Sequence, residues 1–468
     1  MSVENTHIGA RGIAEAMKGV RNLFFIGIGG ISMSALARIS LLRGYGVGGS
    51  DRGEGALLDS LESLGIKIFK GHDADHLTGY DAVVYTVAIS EENPEYRAAI
   101  ERGLPLFSRA DYLNYLMTGY EFRVGVAGMH GKSTCTAMCS RIFLASGDPT
   151  VLCGAPLPEA AYFPCRIGRS HKHFIFEACE YMDSFLDFSP TLAVILNIAM
   201  DHVDYFHSME QIRASFLAYA RRTGAGGTVL YNADDAESIL ALKDFEGHHV
   251  TFGIESAADF TARNIRADRQ GTSFDLYREE RLLTRISLCV HGKHMVYNAL
   301  AAAGAAILGG VELSAVVKGL GEFVGAGRRM EYKGLCNGAH VYDDYGHHPD
   351  EIRATLAGAR EMGFDRILCA YQPHTYSRTA GLLEEFSTAF GDADRVYLAD
   401  IYAAREQNIY GVDSELLARR IGKKATYCGS FEALAQALRR DAREGDLVIV
   451  MGAGDIYKTF DLLVEKET

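Results

Sequence analysis

The chain has 468 residues, 48% hydrophobic and 23% charged, too many for one hydrophobic core and suited to two to four domains. Lys+Arg 47 against Asp+Glu 60 leaves a net −13, which argues against a general nucleic-acid binder, and no apolar run reaches the roughly 18 residues of a membrane span. The opening segment 1–19 lacks the apolar core and cleavage pattern of a signal peptide, and nine scattered cysteines without a C-x-x-C pair fit reduced thiols in a cytoplasm.

Short apolar runs alternate with helical patterns along the whole chain, which predicts an α/β fold with mainly parallel sheets. Three blocks are expected, 1–120, 121–326 and 327–468. The first opens with a strand over 22–27, a glycine turn through Gly27, Gly29 and Gly30, and a helix from Met33 to Arg43. Glycines let a diphosphate approach the backbone, and the helix start presents free N–H groups. The third glycine of the usual dinucleotide fingerprint falls at Ser32. Ser50-Asp51 ends the next strand candidate, 46–50, and an acid there suits a ribose hydroxyl. Nucleotide binding, including a nicotinamide dinucleotide, and a merely tight βα turn both remain open for this segment. Strands are also expected over 67–69 and 82–86.

The second block restarts with a strand over 122–127 and the loop Gly128-Met129-His130-Gly131-Lys132-Ser133-Thr134, followed by a helix over 135–146. Successive N–H groups of such a loop cradle phosphate oxygens; Lys132 adds positive charge near the β- and γ-phosphates, and the Ser133 hydroxyl suits Mg2+. The apolar strand 174–177 ends at Glu177, with Glu180 just beyond; beside a phosphate loop the cation for Glu177 is Mg2+, although an acid at a solvated strand mouth reads similarly. After a strand over 193–197, His202 is a second metal ligand, an imidazole near the phosphates, or a structural histidine. Strands are expected over 228–231 and 250–252, then an Ala-rich helix over 294–308. On it, His294 and Asn298 share one face, where Asn suits an adenine edge or simple packing.

In the third block Arg328-Arg329 precede Asp343-Asp344-Tyr345-Gly346-His347-His348-Pro349, with Pro349 starting a helix to about 362. Acids and histidines crowded at a strand-to-helix turn point to function rather than packing. Arg378 lies past another strand end and suits an anionic ligand. Strands are expected over 341–343, 367–371, 396–399 and 447–451, the last leading into a small-residue turn at Gly452–Gly454.

The segments FIGIGGISMSA (25–35), AGMHGKST (127–134), EACEYMDSFL (177–186), NIAMDHVDYF (197–206), GRRMEYKG (327–334), DDYGHHP (343–349) and QPHTYSRT (372–379) together resemble the Mur ligase family, in particular its alanine-adding branch. The resemblance covers nearly the whole chain. It implies three domains: a Rossmann-like UDP-sugar domain, a central Mg-ATPase and a Rossmann-like C-terminal domain. It also implies ATP-dependent joining of L-alanine to UDP-N-acetylmuramate in peptidoglycan precursor synthesis. By resemblance Lys132 contacts the ATP phosphates, Ser133 and Glu177 bind Mg2+, and His202 binds a second Mg2+. Asn298 meets adenine, while Arg328 and Asp344 complete the nucleotide site from the third domain. His347, His348 and Arg378 match positions near the substrate and incoming amino acid, and Gly29, Gly30, Ser50, Asp51, Ser108 and Arg109 match the UDP-sugar side. The chain departs from the commoner family pattern at Met129, Met295, Cys179 and Thr375, and it has no lysine between His202 and Arg222, as the alanine-adding branch implies. No nucleic-acid or membrane partner is expected, and the oligomeric state implied is a monomer or weak dimer. Rival readings are a recycling ligase that adds a preformed tripeptide, a nicotinamide oxidoreductase, and an inactive nucleotide-binding protein.

Overall fold

A central strand reading Leu-Phe-Phe-Ile buries both faces, which requires helices on each side and parallel neighbours. In the computed structural model, which describes residues 3, 6, 8–160, 163–202, 205–268, 270–325 and 328–465, this strand, Asn22–Ile26, lies mid-sheet. Around it run, in spatial order, Lys67–Lys70, Gly46–Asp51, Asn22–Ile26, Ala82–Tyr85 and Leu106–Ser108, all parallel. Ile26 is level with Ser50 and Tyr85, so the glycine turn, Asp51 and Thr86 open at one carboxyl edge. That edge is where an α/β sheet with a switch in strand order takes a ligand.

The described residues of the second unit form a ten-stranded sheet. Its parallel centre is Leu192–Ile195, Phe122–Ala127 and His173–Glu177, with Val126 level with Glu177 and Ala127 level with Ile195. The register sets Glu177 beside the glycine loop. The outer part is an antiparallel meander of Phe260–Asp268, Gly271–Arg278 and Arg281–Leu288. The third unit pairs Asp344 with Met451 and Tyr371 with Met451, so the turns after all three strands gather at one edge. The α/β architecture in three domains is as expected. The boundary expected near 120 falls between helix Arg109–Met117 and strand Phe122–Ala127, and that near 326 lies outside the described residues.

One apolar cluster runs without interruption from Phe25, Leu36 and Tyr112 of the first unit to Phe174, Phe185 and Phe216 of the second. The clusters of the third unit hold only its own residues, such as Ile352, Tyr371 and Leu434. The first two units are therefore fixed to each other by a shared apolar cluster, whereas the third shares no such cluster with the second and meets it through close helix packing, Gly358 against Gly292, together with polar contacts. Among the described residues, no helix is long and apolar enough to cross a membrane, and all nine cysteines are free thiols.

Candidate active site

Gly131 caps helix Lys132–Ser146 in a left-handed conformation, φ 83°, turning the chain so that the helix start faces a cavity. A Cβ there would stand 2.6 Å from Asn298 Oδ1, so both the conformation and the space call for glycine. Asn197 pins the loop: its Oδ1 accepts from the His130 N–H at 2.8 Å, and its Nδ2 donates to the His130 carbonyl at 3.0 Å. The Met129 side chain turns away and packs into the apolar cluster shared by the first two units. Met129 was expected in the nucleotide site; only its backbone belongs to the loop, and the missing polar group removes no contact with the cavity.

Lys132 Nζ donates to the carbonyls of Gly128 at 2.6 Å and Met129 at 3.2 Å, and to Glu180 Oε1 at 3.0 Å. Burial works against its charge, but the carboxylates of Glu180 and Glu177 prevail and hold its pKa above the usual lysine value. Ser133 Oγ donates to Glu177 Oε2 at 2.8 Å, and the Gly154 N–H donates to the same oxygen at 2.7 Å. His202, at φ 51°, places Nε2 3.2 Å from Glu180 Oε1. Two small groups thus lie beside the loop, Ser133 with Glu177 and Lys132 with Glu180 and His202. A hydroxyl and carboxylate on one side, and a carboxylate and imidazole on the other, are suitable donors for divalent cations.

The cavity beside the loop encloses about 280 Å³ and is lined by His130, Gly131, Thr134, His294, Asn298 and, from the third unit, Arg329, Asp344 and Glu351. His294 and Asn298 share the helix face the sequence indicates. Burial, reinforced by Arg329, lowers the His294 pKa to about 4, so the ring is neutral at physiological pH. Asp344 accepts from Met330 N–H at 3.0 Å and Gly346 N–H at 2.8 Å, and burial pushes its carboxyl up.

Arg328, expected in this cavity, points elsewhere. Its guanidinium donates to Asp343 at 3.2 Å and to the Gly452 carbonyl at 2.7 Å, and lies over Tyr345 and Tyr457. The positive φ of Arg328, 57°, sends consecutive arginines in different directions, and Arg329 takes the cavity position 3.6 Å from Glu351. Glu351 was missed from sequence, although its spacing from His348 is that of a capping box: it accepts from the His347 N–H at 2.9 Å and approaches His130 Nδ1 at 3.5 Å.

The two adjacent histidines also part. His348 caps helix Pro349–Glu361 through Nδ1 and lies 4.6 Å from the His130 ring, facing the glycine loop. His347 lies 5.9 Å from His374, which is 3.2 Å from Arg378. Burial lowers His347 and His374 to about 4. Arg378 crosses to the second unit, its Nη2 3.0 Å from Asp201 Oδ1. Burial of Asp201 opposes its charge, yet Arg378 holds the carboxyl well below the usual range.

In the first unit, Gly29, Gly30, Asp51 and Arg109 line a cavity of about 710 Å³. The Gly29 N–H donates to Asp51 Oδ2 at 2.8 Å. Ser50 and Ser108, both expected here, are fully buried outside its lining. Ser50 Oγ donates to buried Glu95 at 2.6 Å, and Ser108 Oγ caps the helix of Arg109. Their hydroxyls serve internal partners, and His72 reaches the cavity in place of Ser50. A further cavity shares Ile31, Ser32 and Arg109 with this one and ends at Gly154 and Glu177. Arg109 therefore lines both cavities, one at the first glycine turn and one that ends at Glu177.

A Lys-Ser loop beside two carboxylates, with cavities toward it from the first unit and the third unit lining its other side, is the arrangement of a multidomain phosphate-handling enzyme. Comparison with known proteins agrees. The Mur ligase family catalytic domain model matches residues 22–121, the Mur ligase middle domain 126–306, and the glutamate ligase domain of Mur ligases 328–454. The UDP-N-acetylmuramate–L-alanine ligase of Acetivibrio thermocellus is 44% identical over 95% of this chain and 96% of its own. That of Agathobacter rectalis is 44% identical over 95% and 98%. The crystal structure of the UDP-N-acetylmuramate–alanine ligase of Thermotoga maritima superposes with a TM-score of 0.77 at 28% identity, covering 94% of this chain and 97% of that one. The chain belongs to the Mur ligase family.

Proposed function

We propose that this protein is an ATP-dependent ligase that joins L-alanine to the lactyl carboxylate of UDP-N-acetylmuramate, in the cytoplasm and as a monomer or weak dimer, for peptidoglycan precursor synthesis. The observation that carries this reading is the pair of cavities that share Arg109, one at Gly29 and one ending at Glu177, whose carboxylate bonds Ser133; together they offer a carboxylate on the sugar side a route toward the Lys132 loop. The domains are taken as 1–120, 121–326 and 327–468.

A carboxylate is a poor acyl electrophile because its charge repels nucleophiles and oxide does not leave. Its oxygen attacks the γ-phosphorus of ATP, ADP departs, and the acyl phosphate carries a good leaving group. Lys132, held charged by Glu180, neutralises the transferring phosphoryl group. Ser133 and Glu177 fit one Mg2+, and Glu180 and His202 fit a second; bound there, the metal supplies further positive charge to the phosphate oxygens. Asn298 and Asp344 line the cavity for the nucleoside, with Arg329 beside its phosphate end. The amine of alanine attacks the acyl carbon, and collapse of the tetrahedral intermediate expels phosphate. His347, beside His374 and Arg378, and His348, facing the glycine loop, are the candidates to take the amine proton, although burial and Arg378 disfavour the protonated form of His347. The third unit excludes water from the acyl phosphate.

The test is phosphate release with ATP, Mg2+ and UDP-N-acetylmuramate, offered L-alanine, other amino acids or a preformed tripeptide. The expected result is release only with all substrates together and with alanine preferred. Preference for the tripeptide would overturn the assignment.

A further inference from the structure

The cavity at the first glycine turn contains one residue that does not belong to the first two units. Arg405, from the turn after strand Arg395–Ala399 of the third unit, lines it with Gly29, Gly30, Arg52 and Arg109. Its guanidinium is exposed and makes no hydrogen bond or ion pair among the described residues. The preceding Ala404 is held at φ 52°, a conformation costly for a residue with a side chain and kept where surrounding structure demands it. Three arginines face this cavity against one acid, Asp51, whose carboxylate already accepts from the N–H groups of Gly29 and Gly53, each at 2.8 Å. The surplus positive charge fits a diphosphate.

The turn that carries Arg405 is tied to the other end of the site. Glu406 accepts from the Ser377 N–H at 2.9 Å and from its hydroxyl. Thr375 N–H donates to the Tyr402 carbonyl and Tyr402 N–H to the Pro373 carbonyl, each at 2.9 Å, and the His374 ring stacks on Tyr402. Residues 402–406 therefore move with 373–378, and the latter include Arg378, which grips Asp201 next to His202. A ligand that holds Arg405 also favours the Arg378–Asp201 contact.

We propose that Arg405 binds the diphosphate of the sugar nucleotide from the third domain, so that closure of that domain over the ATP site is coupled to an occupied sugar-nucleotide site. The proposal rests on the ligase reading above. It assigns Arg405 a specificity and positioning role: a substrate lacking the diphosphate would fail to recruit the third domain, and ATP would be protected from hydrolysis until the acceptor is present.

The experiment compares wild type with Arg405→Ala and Arg405→Lys. Arg405→Ala is expected to raise the KM for UDP-N-acetylmuramate by about tenfold or more, the effect of one lost charge-assisted hydrogen bond, with kcat changed less than threefold. Arg405→Lys is expected to recover most of that loss. In wild type, UDP-N-acetylmuramate should tighten binding of a non-hydrolysable ATP analogue, and Arg405→Ala should abolish most of the tightening while leaving the analogue's affinity alone unchanged. A KM within twofold of wild type with the coupling intact would overturn the proposal, as would a loss confined to kcat that lysine does not rescue. If wild type failed to turn over with alanine, the ligase reading would fall separately. Calorimetry of UDP-N-acetylmuramate with wild type and Arg405→Ala would then still decide, and equal affinities would refute the role of Arg405.

Discussion

Removing the contact between Asp201 and Arg378 tests whether the third domain must close on the second for amide formation. The two side chains are 8% and 13% exposed, and Arg378 donates through Nε at 3.3 Å and Nη2 at 3.0 Å to one carboxylate oxygen. A hydrogen bond to a charged group contributes about 1.5–3 kcal/mol, and deleting one partner of a buried pair costs about 3–5 kcal/mol because the other charge is stranded. Asp201→Ala and Arg378→Ala should each lower kcat/KM for alanine by about 100-fold or more. The double variant should be better than the product of the singles by about 1.5–3 kcal/mol of coupling, with ATP-analogue affinity little changed. The carboxyl of Asp201 lies below the ordinary range, so the pair is ionised at every practical assay pH. Steady-state kinetics of the four proteins gives the answer. Strictly additive losses would show that Arg378 acts without Asp201 and would refute domain closure through this contact.

Ser133→Ala removes a hydroxyl that bonds Glu177 at 2.8 Å, and the Mg2+ concentration for half-maximal phosphate release should rise by about tenfold, with Ser133→Thr restoring it. Gly131→Ala forces a side chain into φ 83° and within 2.6 Å of Asn298; thermal unfolding should show a loss of about 1–2 kcal/mol, and nucleotide affinity should fall with it. His294, His347 and His374 have folded pKa values of about 4, lowered by burial from 6.5. Between pH 4 and 6.5 the unfolded chain binds more protons, so stability rises with pH through this window and is fully present above it. At pH 5.5 each imidazole costs about 1.4 kcal/mol relative to neutral pH, and His347→Gln should flatten the fall in Tm measured across that range.

Much of this site was legible because strand-to-helix turns carry a double signal: an apolar run that must be buried, then glycines that allow a positive φ. Gly131, Lys132, Ser133 and Glu177 follow from that signal, and helical spacing alone puts His294 and Asn298 on one face. What escaped depends on tertiary context. Nothing local distinguishes Arg328 from Arg329; the left-handed backbone at Arg328 decides which one meets the cavity. Ser50 and Ser108 end their strands as a ligand-binding hydroxyl would, but Glu95 and a helix N-terminus claim them. Asp201 and Arg378 are 177 residues apart, and only the packing of two domains pairs them. Among the strands, Leu106–Ser108 is three residues long, and the meander over Phe260–Leu288 exposes much of one face, so its charged residues interrupt the apolar pattern.

Isotope transfer tests the formation of an acyl phosphate over the Lys132 loop most directly. With 18O in both oxygens of the lactyl carboxylate, turnover with ATP and L-alanine should deliver one 18O into each phosphate released, and Lys132→Ala should abolish the transfer. Unlabelled phosphate from an active wild-type enzyme would contradict the account.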